Sequence, residues 1–328
     1  MIISKTPYRI SFFGGGSDYP SWYIKNGGKV LSTSIDKYIY ISCRYLPPFF
    51  EHKYRIVWSK IESVKSINEI KHKVVRQMLK DLKIKQGLEI HYDGDLPARS
   101  GMGSSSVFVV GLLNLLNAFK GKMMNKRKLS EDSIYFEQKI LKEIVGSQDQ
   151  IAASYGGFNK IIFNKGGNFL LKPIKVNKKI LYKLNNNLVL VYSGISRTAH
   201  EIASEYVDKL QKSKMKNILK ISNYVDEAEN ILKHGDLNDF GKLLHESWLE
   251  KKQLSPSIAN IKIDEIYKSA IEQGALGGKL LGAGGGGFFL FYVPKSKQKK
   301  FTKYFNKLIH IPFQFSSEGS KIIFKSRD

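Results

Sequence analysis

Cysteine is nearly absent from this chain: 328 residues contain one, Cys43. That excludes an internal disulfide framework. The seven histidines show no zinc-ligand spacing with it. Cys43 sits in the alternating run Ile39-Tyr40-Ile41-Ser42-Cys43 and reads as a buried strand residue. No stretch of about 18 uncharged apolar residues occurs, so no membrane span is expected. Met1 to Pro7 is too short and too soon interrupted for a secretory signal. Acidic residues are also scarce, 29 against 53 basic ones, for a formal charge of +24. Such a surplus can draw nucleic acid, anionic membranes or acidic metabolites. The lysines are spread along the chain, however, and the densest clusters, Lys120 to Lys128 and Lys295 to Lys303, lack interleaved aromatics. They read as solvated faces that leave a modest field for phosphorylated small molecules. The expectation is a cytoplasmic protein with no nucleic-acid or membrane partner. A Gly-x-x-x-x-Gly-Lys-Ser/Thr loop and the protein-kinase signatures are missing too, which disfavours those phosphate-binding classes.

Glycine is abundant, and it is concentrated. Pro97-Ala98-Arg99-Ser100-Gly101-Met102-Gly103-Ser104-Ser105-Ser106 follows a strand-like run, Leu88 to Tyr92, and precedes the apolar run from Val107. A glycine-rich turn that opens a helix presents unpaired N–H groups at the positive end of the dipole, a ready phosphate site. The serines can cap that helix or offer hydroxyls to phosphate or metal. A serine-capped helix after a loop is the plainer reading. Two more glycine-rich turns lie at Gly14-Gly15-Gly16-Ser17-Asp18-Tyr19 and at Gly282 to Gly287. Each adjoins an apolar segment, unlike a flexible linker, so the three are expected to line one cleft.

The organisation is mixed. Strands are expected at 30–35, 38–42, 88–92, 188–192, 287–293 and 322–324, with a hairpin at 159–171 turning on Lys165 to Asn168. Helical periodicity marks 67–83, 104–119, 130–145, 199–233 with a break near Lys212, 237–253 and 295–308. The polar stretch 177–187 reads as a connector. It places a boundary near residue 175, dividing the chain into 1–175 and 176–328. In the second part, Arg197 lies where a strand gives way to a helix. It is a candidate for an anion site, or else an exposed first-turn arginine. Asp149 follows Gly146 in an uncharged stretch that reaches Phe158. It suits a general base, and equally a helix N-terminal aspartate. Tyr155 and Gly156 follow and are expected to close the same pocket.

The three turns, in this order, resemble the GHMP kinases: galactokinase, homoserine kinase, mevalonate kinase and phosphomevalonate kinase. The middle one matches that family's Pro-x-x-x-Gly-Leu-Gly-Ser-Ser-Ala, with Met102 for Leu and Ser106 for Ala. Gly14 to Tyr19 and Gly146-Ser147-Gln148-Asp149-Gln150-Ile151-Ala152-Ala153 resemble its heptose and fucose kinase branch most. The resemblance implies an α+β, two-domain fold: a ribosomal-S5-like α/β domain, then a ferredoxin-like α+β domain, with the site between them. It implies an ATP-dependent sugar kinase that uses Mg2+ and phosphorylates the anomeric hydroxyl of a heptose 7-phosphate for surface-polysaccharide synthesis. A kinase of unphosphorylated fucose or galactose, or a non-catalytic nucleic-acid-binding relative, stands as the alternative. By the same resemblance Asp149 is the base, and Arg9 holds it ionised and polarises the acceptor. Residues 97 and 99–106 hold ATP. Ser105 and Glu137 bind the metal, Ser104 being hard to tell from Ser105. Gly16, Ser17 and Asp18 meet the sugar. In galactokinase the matching segment is Gly-Glu-His-Thr-Asp-Tyr, so Gly15 and Gly16 here make room for a different or larger sugar. Gly284 and Gly285 are expected to flank it from the second domain. A homodimer is compatible with the sequence.

Overall fold

The computed structural model describes residues 1–195 and 199–326. The first part comprises β1 (Ile2–Phe13), α1 (Pro20–Asn26), β2 (Gly28–Tyr45), β3 (Tyr54–Val57), β4 (Ile61–Val64), α2 (Lys73–Asp81), β5 (Leu88–Gly94), α3 (Ser104–Phe119), α4 (Lys126–Tyr135), α5 (Gln148–Tyr155), β6 (Phe158–Phe163) and β7 (Phe169–Pro173). The second comprises α6 (Lys178–Asn186), β8 (Leu188–Tyr192), α7 (Ala199–Tyr206), α8 (Met215–His234), α9 (Leu237–Lys252), α10 (Ile261–Glu272), β9 (Gly277–Leu280), β10 (Phe288–Tyr292), α11 (Lys295–Tyr304) and β11 (Ile309–Ile311). Two short strands close the chain, β12 (Phe315–Ser316) and β13 (Lys321–Lys325).

The first sheet runs β13-β1-β2-β5-β3-β4, with β12 and β6 also on β2 and β7 on β6. The runs expected at 30–35 and 38–42 are one long strand, β2. Its first half pairs with β6 and its second with β5. α3 is apolar all round, and its residues from Ser106 to Ala118 are buried. A helix of that kind belongs inside a core, and α3 lies against β1, β2, α4 and α5. The second sheet, β11-β8-β10-β9, is wholly antiparallel. With its helices it follows the β-α-β-β-α-β order of a ferredoxin-like unit.

Several boundaries differ from expectation, each for a local reason. The 67–83 helix starts only at Lys73, because the N–H groups of Lys71 and His72 are drawn to the Glu62 carboxylate. The helix expected from Ser130 begins at Lys126, where Asn125 caps it by accepting from Lys128 N at 2.8 Å. It ends in a π turn over Phe136–Ile140 rather than running on to Val145. The connector at 177–187 is the helix α6, capped by Asn177 and buried through Leu184. α10, capped by Asn260, was not foreseen. The sheets change over between Pro173 and Leu188, but a single cut near 175 misplaces the last strands. β13 lies along the free edge of β1, and β12 on β2. Phe313 and Phe315 join the first core, and an otherwise open edge is covered.

The halves meet through aromatic rings. Phe240 of α9 stands edge-on to Phe12 and Phe13 of β1, at 5.4 and 5.1 Å. Lys279 Nζ donates across the same seam to the Phe12 carbonyl at 2.7 Å.

Candidate active site

The 97–106 turn enters α3 through Gly103, whose φ of +75° makes it a left-handed N-cap. The expected serine cap is not made: no side chain caps α3. Instead the Ser104 hydroxyl accepts from Arg99 N at 3.2 Å within the turn, and Gly103 leaves the start of this 16-residue helix without a side-chain cap. Met102 is fully buried and anchors the turn from below, while Pro97 and Arg99 are exposed. Ser100 is buried, and its carbonyl accepts from Phe288 N at 3.0 Å. Gly101 and Gly282 touch backbone to backbone. The phosphate-type loop is therefore stitched to the glycine turn of the second half.

Beside this helix end, Arg9 of β1 and Asp149 of α5 form a bidentate pair. Nε donates to Oδ1 at 2.6 Å and Nη2 to Oδ2 at 2.7 Å. The third arm, Nη1, donates to Gly101 O at 2.9 Å. Arg9 is almost wholly buried, while the Asp149 side chain keeps a fifth of its surface exposed. Irregular register in β1 at Pro7/Arg9 and again at Ser11/Phe13 frames the segment, as bulges beside functional groups do. A Cβ on Gly103 would come within 3.0 Å of Asp149 Oδ2.

Asp18 is buried next to this pair. Its Oδ1 accepts from Gly16 N at 2.9 Å and its Oδ2 from Gln148 N at 3.4 Å. Burial, and then the nearby Asp149 charge, push its carboxyl up to about 6 despite those bonds. Gly146 is glycine for space: its Cβ would fall 1.9 Å from Asp18 Oδ2. Glu137, on the π turn, is buried too and is pushed up to about 7, mainly by burial. It accepts from Gln150 Nε2 and from the Ser106 hydroxyl. Ser105, the partner expected from the sequence, is exposed one residue earlier.

Both raised carboxyls cost stability once ionised. Their neutral-form advantage is complete below the ordinary carboxylate range and is lost as pH rises through about 6 and 7. Glu137→Gln should therefore gain stability relative to wild type between pH 5 and 8. The gain is up to about 3 kcal/mol, at about 1.4 kcal/mol per pK unit. Parallel thermal-unfolding profiles of the two metal-free proteins would count against this.

Other expected contacts fall elsewhere. The Ser17 hydroxyl shares its proton between Gly14 O (2.8 Å) and Lys29 O (2.9 Å) and accepts from Lys29 N, so it builds the turn. Gly16 gives its N–H to Asp18. Tyr155 and Gly156 lie at the far end of α5, about 9 Å from Asp149 at 1.5 Å per residue. Tyr155 stands edge-on to Phe169, and Gly156 abuts the backbone of Glu318. Gly284 and Gly285 pack on Ile258. Arg197 lies outside the described residues. Ser106, expected among the ATP-binding residues, takes the Glu137 contact, and one residue of this corner went unremarked in the sequence, Lys251. Lys251 donates to Leu280 O (2.9 Å) and Gly282 O (2.6 Å), holding the turn that touches Gly101. Among so many lysines nothing singled it out.

The fold and this geometry define a small-molecule phosphotransferase. The chain belongs to the GHMP kinases: residues 68–157 match the model of the GHMP kinases N terminal domain and residues 228–309 that of the GHMP kinases C terminal. Together these matches cover more than half of the chain. Among its relatives is the D-glycero-alpha-D-manno-heptose 7-phosphate kinase of Campylobacter jejuni, 28% identical over 98% of both chains. The galactokinase of Pyrococcus furiosus is 26% identical over 91% of this chain and 90% of its own. In fold the chain is similar to a D-glycero-D-manno-heptose 1-phosphate kinase from Bacteroides thetaiotaomicron, at a TM-score of 0.81 over 100% of both chains with 24% identity.

Proposed function

We propose that this chain phosphorylates the anomeric C1 hydroxyl of D-glycero-D-manno-heptose 7-phosphate with ATP, giving the 1,7-bisphosphate for surface-polysaccharide synthesis in the cytoplasm. The observation that carries the reading is the Arg9–Asp149 pair set beside the uncapped end of α3. In this reading the first-turn N–H groups of α3 bind the ATP phosphates. Asp149 takes the proton of the C1 hydroxyl as its oxygen attacks the γ-phosphorus and the bond to ADP breaks. Arg9 fixes both carboxylate oxygens, so a free lone pair points at the acceptor. Asp18 faces the same space. The sugar identity leans on the Campylobacter jejuni relative.

Glu137 fits a divalent cation. It is a buried hard-oxygen ligand, and the groups around it include Ser106, Gln150 and the carboxylates Asp149 and Glu143. Glu137 with the hydroxyl of Ser105 would hold Mg2+, which neutralises charge on the transferring phosphoryl when bound. Glu137→Gln and Ser105→Ala should each raise the magnesium requirement, and their combined effect should be less than additive. If magnesium titrations are unchanged, or if Ser106→Ala alone moves them, the Ser105 assignment fails.

The deciding experiment is an ADP-coupled assay over a panel of sugars and sugar phosphates, with product position read by phosphorus NMR. Turnover of heptose 7-phosphate at C1 is expected. Preference for unphosphorylated fucose or galactose would replace this substrate with that of the related galactokinases and fucokinases.

A further inference from the structure

Resting on the sugar-kinase reading, we infer that Ser11 and Gln148 form a recognition subsite for one sugar hydroxyl, opened by the missing side chain of Gly15. Three consecutive glycines occupy this turn, and two of them are accounted for by the backbone. Gly14 has φ +85°, and its Cβ would strike Lys29 O at 1.9 Å. Gly16 has φ +102°, and its Cβ would meet Ile218 Cδ1 at 2.8 Å. Gly15 has neither constraint. A Cβ there would find only Gln148 Nε2 at 3.8 Å and Ser11 Oγ at 3.9 Å, ordinary contact distances. The backbone does not require glycine at 15, so the open space beside it is the feature left to explain.

The two groups that border this space have unspent hydrogen-bonding capacity. Ser11 Oγ and Gln148 Oε1 are both buried and both without a hydrogen-bond partner. Buried polar atoms are satisfied in the great majority of cases, so the orphaned Ser11 Oγ and the orphaned oxygen of the amide whose Nε2 borders the gap call for a ligand. A hydroxyl is the complementary group, since it can donate to one of these side chains while accepting from the other. The location is right for the acceptor. Gln148 N donates to Asp18, Gln148 precedes Asp149, and Ser11 lies two residues from Arg9 on β1.

The test uses the full-length protein and whichever panel sugar the wild type phosphorylates, heptose 7-phosphate first. Failure of the heptose assignment is therefore read from the wild type, and failure of the subsite from the variants. Ser11→Ala and Gln148→Met should each raise the sugar KM by roughly five- to tenfold, the scale of one hydrogen bond. ATP KM and kcat should stay within about twofold of wild type. Gly15→Ala fills the gap and should raise the sugar KM at least as much. Ser11→Ala should not lower the thermal midpoint of the sugar-free protein, because it removes a hydroxyl that has no partner there. That last result separates recognition from a structural role. An unchanged sugar KM in both Ser11→Ala and Gln148→Met, or an equal rise in sugar and ATP KM, overturns the inference.

Discussion

Asp149→Asn is expected to cut turnover by about 100- to 10,000-fold, the range typical of a lost general base, while ATP affinity stays within a few-fold of wild type. Asparagine keeps the shape and can still accept from Arg9, but it cannot take the acceptor proton. The N–H groups that would hold the nucleotide belong to α3, not to α5, so nucleotide binding should survive. Single-turnover measurements isolate the chemical step from product release. A variant with near wild-type single-turnover rate would remove Asp149 from the role of base.

Arg9→Met should be as damaging, for two separable reasons. Its guanidinium makes three bonds, two to Asp149 and one to Gly101 O. Removing one partner of a largely buried pair leaves the other charge uncompensated, at a cost of about 3 kcal/mol. The turn that positions α3 loses its tether in the same step. The variant should therefore unfold at lower temperature and lose turnover by at least about 100-fold. Adding Asp149→Asn should restore part of the stability, since the orphaned charge goes with it, but none of the activity. If the double variant is less stable than Arg9→Met alone, the pair is not what holds this corner.

The loop that leads into α3 was legible because its signal is local in sequence. Gly101 and Gly103 before an apolar run announce α3, whose expected limits, 104–119, are those observed. Asp149 and Arg9 were named through the family resemblance, and their bidentate geometry joins a strand and a helix 140 positions apart. What stayed hidden depended on neighbours that sequence does not order. The bonds of Ser17 to Gly14 and Lys29 could not be read from its segment. Tyr155 follows Asp149 closely in sequence but lies at the opposite end of a short helix. Amphipathic α6 passed as a connector because its apolar residues, Ile180, Leu181 and Leu184, are few among lysines and asparagines. The return of β12 and β13 carries no local signal at all, since strand pairing partners are set by the rest of the fold.

That return bears on how the protein is made. β1, the strand that bears Arg9, pairs along one edge with residues 321–325, which are made long after it. The first sheet can collapse around α3 while synthesis continues, but its outer edge stays unpaired until residues 321–325 have been made. Contacts between segments far apart in sequence are slow to form, and an open strand edge is a surface on which nascent chains mispair. The order of synthesis therefore leaves the β1 edge, on the strand that bears Arg9, to be sealed late.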